Sequence, residues 1–214
     1  MTPDLFDPLL PDKESLTKGA VLLRGFACAE TAELIEEISR ITKTAPFRKM
    51  VTSGGQKMSV SMSNCGTAGW LSDKSGYRYG PRDPLTDSLW PPMPVSFAHL
   101  ATRAAKTAGF EDFVPDACLI NRYDPGTKLS LHQDRDEQDE SAPIVSVSIE
   151  LPATSLFGGM RRNDCPRRIK LESGDVVIWG GPARFTFHGV APLVKGEHEL
   201  TGPCRINLTF RKAL

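Results

Sequence analysis

Seven short β-like runs crowd the stretch from residue 116 to residue 211, and they constrain the fold more than any other feature. DACLINRY, KLSLHQD, PIVSVSIEL, RRIKLE, DVVIWG, RFTFHGV and CRINLTFR are rich in Val, Ile, Phe and Tyr and are divided by turn residues. So many strands in about a hundred residues predict a sandwich, barrel or jelly roll. Upstream, AVLLRGF (20–26) reads as one more strand. TAELIEEISRIT (31–42) sets Leu34, Ile35, Ile38 and Ile41 on one helical face. PVSFAHLATRAAKTAG (94–109) is a second helix, with Pro94 suited to its first turn and Gly109 to its C-terminal cap. The expected class is mostly β with flanking helices (α+β). Residues 1–19 read as an extended arm. Residues 46–93 are rich in Gly, Ser, Pro and Asn, with short candidate strands at MVTSGGQKMSVSM and GYRYG. They read as a hairpin-rich, mobile subdomain or as an ordinary irregular segment.

Composition narrows the partners. The chain has 214 residues with 26 basic and 26 acidic side chains, so its formal net charge is zero. Such a chain has no global attraction for nucleic acid or an anionic membrane, and any such partner must meet a local patch. RRNDCPRRIK (161–170), with five basic residues and one acid, is the densest positive patch. Five cysteines, widely spaced and without C-x-x-C, argue against a disulfide framework or structural zinc. The acidic N-terminus lacks the basic and apolar regions of a signal peptide. No apolar run approaches the ~20 residues needed to span a bilayer. A reducing, cytoplasmic setting without membrane contact is expected.

The chemistry centres on His132-x-Asp134. In a strand, residues i and i+2 point to the same side, so one imidazole and one carboxylate can reach one ion. His188, which ends the run RFTFHG, is the best third ligand. Two histidines and one carboxylate leave open positions and suit non-haem Fe(II) that binds a cosubstrate and O2. The short H-x-D pattern also fits a surface His–carboxylate pair. Of the other histidines, His198 sits in a charged loop and reads as solvated, and His99 as packed or exposed on the second helix.

CRINLTFR adds a second constraint. Period two puts Arg205, Asn207, Thr209 and Arg211 on one face and Ile206, Leu208 and Phe210 on the other. Such a polar face is costly to bury without an anion, and two arginines can grip the ends of a dicarboxylate such as 2-oxoglutarate. The alternative is an exposed edge strand with basic gatekeepers. Asn121 and Tyr123 share a face of their own strand and offer hydrogen bonds to carboxylate oxygens.

These stretches, read in order, resemble the bacterial AlkB DNA-repair dioxygenases. LINRYDPGTKLSLHQDRDE, PIVSVS, LPATSLFGG, RRND, GDVVIWGG, FHGV and CRINLTFR carry the resemblance. PFRKMVTSGG, MSVSMSNCG, GW and GYRY extend it upstream, so that it runs from about residue 20 to the end. The resemblance implies a double-stranded β-helix (jelly-roll) core at 91–214, an N-terminal extension at 1–45 and a nucleotide-recognition lid at 46–90. It implies Fe(II) at His132, Asp134 and His188, with O2 as oxidant. It implies 2-oxoglutarate at the Asn121-Arg122-Tyr123 segment, Arg205, Asn207 and Arg211. By position, Trp70, Tyr77, Asp136 and Arg162 are its substrate residues. Trp70 would sandwich a base with His132, and Asp136 would favour a cationic base. The implied activity is oxidative removal of N-alkyl groups from bases such as 1-methyladenine and 3-methylcytosine, with release of formaldehyde, succinate and CO2. The implied partner is methylated single- or double-stranded DNA, with RNA as a further candidate, and the enzyme is expected to be a monomer.

Three positions depart from the family pattern. Thr186 and Phe187 stand where bulkier or hydroxylated aromatics are expected, which would alter base preference. Glu150 replaces a small residue, which would alter core packing. Rival readings are the same chemistry on RNA, protein or a small molecule, a cupin-like module or zinc hydrolase with the same ligands, and a non-enzymatic nucleic-acid-binding domain.

Overall fold

The computed structural model describes residues 12–214. Part of the expected N-terminal arm therefore lies outside the described residues. Among the described residues, thirteen strands and two α-helices follow one another. β1 (Lys13–Thr17) and β2 (Ala20–Leu23) precede α1 (Thr31–Thr44). β3 (Ser61–Gly66), β4 (Gly69–Asp73) and β5 (Gly76–Gly80) precede α2 (Val95–Ala108). Then come β6 (Ala117–Tyr123), β7 (Leu129–His132), β8 (Ile144–Glu150) and β9 (Ala153–Phe157). β10 (Arg167–Leu171), β11 (Val176–Trp179), β12 (His188–Val190) and β13 (Arg205–Arg211) complete the chain.

The strands form a seven-stranded sheet in the order β1-β2-β11-β8-β13-β6-β3 and a four-stranded sheet in the order β10-β9-β12-β7. Every pairing is antiparallel, as a jelly roll requires. Both helices pack on one face of the large sheet. There Leu34, Ile38, Phe97 and Leu100 meet Ile120, Val145, Val147, Leu208 and Phe210. Phe97 and Phe210 make an edge-to-face contact with centroids 5.9 Å apart. On the other face, Leu22, Ile144, Val177 and Trp179 meet Phe157, Ile169 and Leu171 of the small sheet. The space between the sheets is where a site can form.

β13 lies between β8 and β6 with all seven residues buried. The edge-strand alternative is thereby excluded, because neither side of the strand is free. Its apolar residues face the helices, so the polar residues must face the inter-sheet space. Pro94 precedes α2 with extended backbone, and Gly109 ends it at φ 99°, a conformation that costs glycine least.

Some elements differ from the expectation. RFTFHGV does not form one strand: only His188–Val190 pairs, and the residues before it turn, with Arg184 buried. β1 falls within the expected arm, and β9 has no counterpart in the runs read from sequence. β3 belongs to the large sheet through β6, so the segment expected to be a lid contributes only β4 and β5 as a separate hairpin. β7 stops at His132, which leaves Asp134 beyond the ladder. Glu150 ends β8 at φ 74° and is 2 % exposed, its carboxylate against the His198 ring. His198 is thus a contact residue rather than a purely solvated one, whereas His99 is exposed. Among the described residues, no helix is long and apolar enough to cross a membrane.

Candidate functional site

His188 and His132 are brought together by strand register. β12 pairs with β7 so that His188 lies directly opposite His132, and their ring centroids are 4.3 Å apart. Gly189 permits this approach, since a Cβ there would lie 2.5 Å from the Leu129 carbonyl oxygen. Each imidazole Nδ1 sits 3.0 Å from a backbone carbonyl, that of Ser130 for His132 and of Thr186 for His188. A carbonyl only accepts, so Nδ1 carries the proton and each Nε2 keeps a free lone pair. The two Nε2 atoms lie 3.6 Å and 3.7 Å from the two oxygens of Asp134. One donor atom from each of the three residues falls within 4.8 Å of the others. This is a metal-binding triad with the ligand types and open side that Fe(II) takes.

Asp134 is held from two directions. Arg211 Nη2 donates to its Oδ2 at 2.9 Å, and Arg184 Nη1 donates to its backbone carbonyl at 2.9 Å. The second bond explains why the backbone leaves the strand at this ligand. Burial works to raise the Asp134 carboxyl, but Arg211, His188 and His132 outweigh it and hold the group well below the usual carboxylate range. His188 moves to about 4, first because burial disfavours the imidazolium and then because His132 repels it, with Asp134 opposing.

The sign of the His188 shift gives a pH prediction for the metal-free protein. The unfolded histidine, with a pKa near 6.5, takes up its proton first. The neutral buried ring then contributes stability that is complete above pH 6.5 and is lost as pH falls toward 4. We expect urea unfolding of the metal-free protein to lose about 3 kcal/mol from this group between pH 7 and pH 4. His188→Gln should remove that part of the slope, and an unchanged slope in the variant would sink the assignment.

A cavity of 460 Å³ extends from the triad between the sheets and is lined by Asn121, Tyr123, Asn207, Arg205 and Arg211. Arg205 is 1 % exposed, and its Nη2 donates to Ser148 at 3.0 Å. Its Nε and Nη1 are buried with no hydrogen-bond partner, and the Oδ1 of Asn121 is likewise unpaired. Burial pushes the guanidinium of Arg205 down and the phenol of Tyr123 up. Orphaned donors on a buried cation are what a bound carboxylate would satisfy. Arg211 differs. Its Nε lies 3.1 Å from Glu137 while Nη2 is on Asp134, so it reaches the cavity already braced. Asn207 is occupied by Ser146, the Val147 carbonyl and Thr209. Arg122 points the other way, half-exposed beside Asp124 at 3.3 Å, and does not line the cavity. Of the expected cosubstrate residues it is the one the structure does not bring to the cavity, because alternate residues of β6 face opposite sides.

The same cavity opens beside the β4–β5 hairpin, where Trp70, Tyr77, Asp136 and Arg162 line it. Trp70 and Tyr77 stack with centroids 5.6 Å apart. Trp70 Nε1 donates to Asp136 Oδ2 at 2.8 Å, so Asp136 is tied to this indole rather than being a freely solvated acid. Arg162 lies over the Phe187 ring at 5.4 Å, which gives Phe187 a supporting role at the mouth. Thr186 is buried and supplies the carbonyl that orients His188.

Residues that sequence reasoning missed lie behind the triad. Glu137 and Arg184 are buried and paired at 2.9 Å, and the Tyr79 hydroxyl donates to Glu137 at 2.8 Å. Trp179 packs at 4.8 Å from the His188 ring. Local pattern offers no signal for Glu137, which stands in a run of acids of the kind that is usually solvated.

Comparison with known proteins agrees with this geometry. Residues 19–211 match the model of the 2OG-Fe(II) oxygenase superfamily. The chain is 56% identical over 210 residues to the alpha-ketoglutarate-dependent dioxygenase AlkB of Escherichia coli (strain K12), covering 98% of this chain and 97% of that one. It is 42% identical to the AlkB homolog of Caulobacter vibrioides, with 84% and 80% covered. The solved structure of OsALKBH1 superposes with a TM-score of 0.78 at 30% identity, covering 94% of this chain and 99% of that one. The departures at Glu150 and Phe187 leave the triad intact. A jelly roll that holds a His–Asp–His triad beside a buried, half-satisfied arginine thus places this chain in the 2OG-Fe(II) oxygenase superfamily, as an AlkB-type, alpha-ketoglutarate-dependent dioxygenase.

Proposed function

We propose that this enzyme oxidatively removes N-alkyl groups such as those of 1-methyladenine and 3-methylcytosine from DNA, releasing formaldehyde, succinate and CO2. The observation that carries the reading is the stacked Trp70–Tyr77 pair, tied to Asp136, on the cavity that holds the triad. A duplex hides the alkylated atom, so the base must leave the stack and lie against an aromatic surface. Trp70 supplies that surface, with His132 across the cavity. Asp136 favours the positive charge that N-alkylation gives the base. Arg162 and Tyr77, at the mouth, face the backbone phosphates.

The iron, when bound with 2-oxoglutarate, supplies the oxidation of the alkyl carbon. The chain's own residues do the rest. His132 and His188 present Nε2 because Ser130 and Thr186 hold the opposite ring nitrogens. Arg205 would offer Nε and Nη1 to a carboxylate of 2-oxoglutarate, with Tyr123 and Asn121 lining the same cavity. Arg211, while bracing Asp134, would help hold a carboxylate of 2-oxoglutarate. The apolar walls from Leu119, Phe157 and Trp179 keep bulk water from the reacting carbon. All these residues come from one chain, which suits a monomer. The five free cysteines suit a reducing, cytoplasmic setting.

Incubation with Fe(II), 2-oxoglutarate and a short single strand carrying 1-methyladenine tests the reading. The expected result is loss of one methyl mass with matching succinate, abolished in His132→Ala. Parallel duplex DNA and RNA strands rank the substrates. Turnover of 2-oxoglutarate with every methylated strand unchanged would overturn it.

A further inference from the structure

The residues behind the triad form one connected polar unit that joins the substrate hairpin to a metal ligand. Glu137 is 6 % exposed and stands at its centre. Its Oε1 accepts from the Tyr79 hydroxyl of β5 at 2.8 Å and lies 3.1 Å from Arg211 Nε. Its Oε2 accepts from Arg184 Nη2 at 2.9 Å. Both arginines continue to Asp134, Arg211 to its carboxylate and Arg184 to its carbonyl. Arg184 Nε also donates to the Ala142 carbonyl, which fixes that guanidinium from outside the unit. A second tie, Trp70 to Asp136, joins the hairpin to the same 134–137 loop.

We propose that Glu137 is a positioning residue: through Arg211 and Arg184 it orients the metal ligand Asp134, and through Tyr79 it makes that orientation depend on the docked state of the β4–β5 hairpin. The physical grounds are these. Two buried guanidinium groups share one buried carboxylate, so loss of its charge leaves both under-compensated and free to shift. The chain of bonds is continuous, and its hairpin end is a single hydroxyl that a small motion breaks. In the undocked state Glu137 has one partner fewer, so it fixes Arg211, and through it Asp134, less firmly. A ligand that favours the docked hairpin therefore favours the metal-ready Asp134. By linkage, the metal favours the docked hairpin to the same degree. The proposal rests on the iron and nucleic-acid reading above.

The test uses Mn(II), which binds without turnover, titrated calorimetrically into the full chain with 2-oxoglutarate. The titration is repeated with and without a single strand bearing 1-methyladenine. In the native chain the strand should tighten Mn(II) about tenfold, and Mn(II) should tighten the strand by the same factor. Glu137→Gln should weaken Mn(II) by about 10- to 100-fold, the usual effect of losing a group that orients a ligand. Tyr79→Phe, which removes one hydroxyl and is expected to fold, should keep Mn(II) affinity within about threefold in the absence of the strand. It should lose the mutual tightening, and hydrogen exchange in residues 69–80 should no longer slow on metal addition. Retained tightening in Tyr79→Phe, or native Mn(II) affinity in Glu137→Gln, would overturn the proposal. A native chain that binds no Mn(II) would instead refute the metal site itself. A native chain that binds Mn(II) but no strand would refute the substrate reading, and Glu137→Gln would still decide the link to Asp134.

Discussion

Arg205→Met is expected to raise the KM for 2-oxoglutarate by roughly 30-fold to several thousand-fold, with a much smaller change in kcat. The range follows from the cost of about 2–5 kcal/mol for truncating one partner of a buried, hydrogen-bonded charge pair. Arg205 is the residue on which this bears because it is buried at 1 % exposure with Nε and Nη1 unpaired. Its remaining contacts, to Ser148 and the Tyr123 ring, are to neutral groups. The same facts predict an opposite effect on stability. Without cosubstrate, the native chain carries an uncompensated buried cation, so Arg205→Met should melt at an equal or higher temperature. Saturating 2-oxoglutarate should then raise the melting temperature of the native protein and leave the variant nearly unmoved. A variant with near-native KM and an undiminished melting shift would show that the cosubstrate binds elsewhere.

Asp134→Ala should abolish turnover and, independently, destabilise the metal-free protein. Removal of the carboxylate takes away one of the three ligands, and no other acidic group shares the triad among the described residues. It also removes the main partner of buried Arg211. Breaking a buried pair costs about 3–5 kcal/mol, and the lower end applies here because Glu137 stays on Arg211. Chemical denaturation of metal-free protein at pH 7 reads this loss. The difference from native should shrink at acid pH, since the Asp134 carboxylate contributes stability only where it is ionised in the fold and lost as pH falls through its depressed value. Equal stability of the two metal-free proteins at pH 7 would mean that Arg211 does not depend on Asp134.

Much of this site is legible in the sequence, and the reason is local geometry. Period two in CRINLTFR separates Arg205, Asn207, Thr209 and Arg211 from Ile206, Leu208 and Phe210, and the structure seats those two faces as the pattern requires. The spacing His132-x-Asp134 and the FHG at 187–189 likewise carry their own signals, because a ligand pair and a close strand approach each need particular residues within a few positions.

Other features depend on contacts between distant segments, and there the sequence is silent. β9 exists because β10 and β12 supply its hydrogen bonds on both sides. β3 looks like part of a lid until β6 takes it into the large sheet. Arg122 sits among site residues in the chain yet faces away in space, since a strand alternates. Glu137 reads as one more acid in DRDEQDE. Only burial against Arg184, 47 positions away, and Arg211, 74 positions away, makes it a structural hub. The alternation of residues thus determined the strand faces, and short spacing pointed to His132 and Asp134, while strand register brought His188 to them. Tertiary structure decided which arginine stays unpaired, which acid is buried and what joins the hairpin to the iron site, because desolvation and charge pairing depend on neighbours that sequence order does not name.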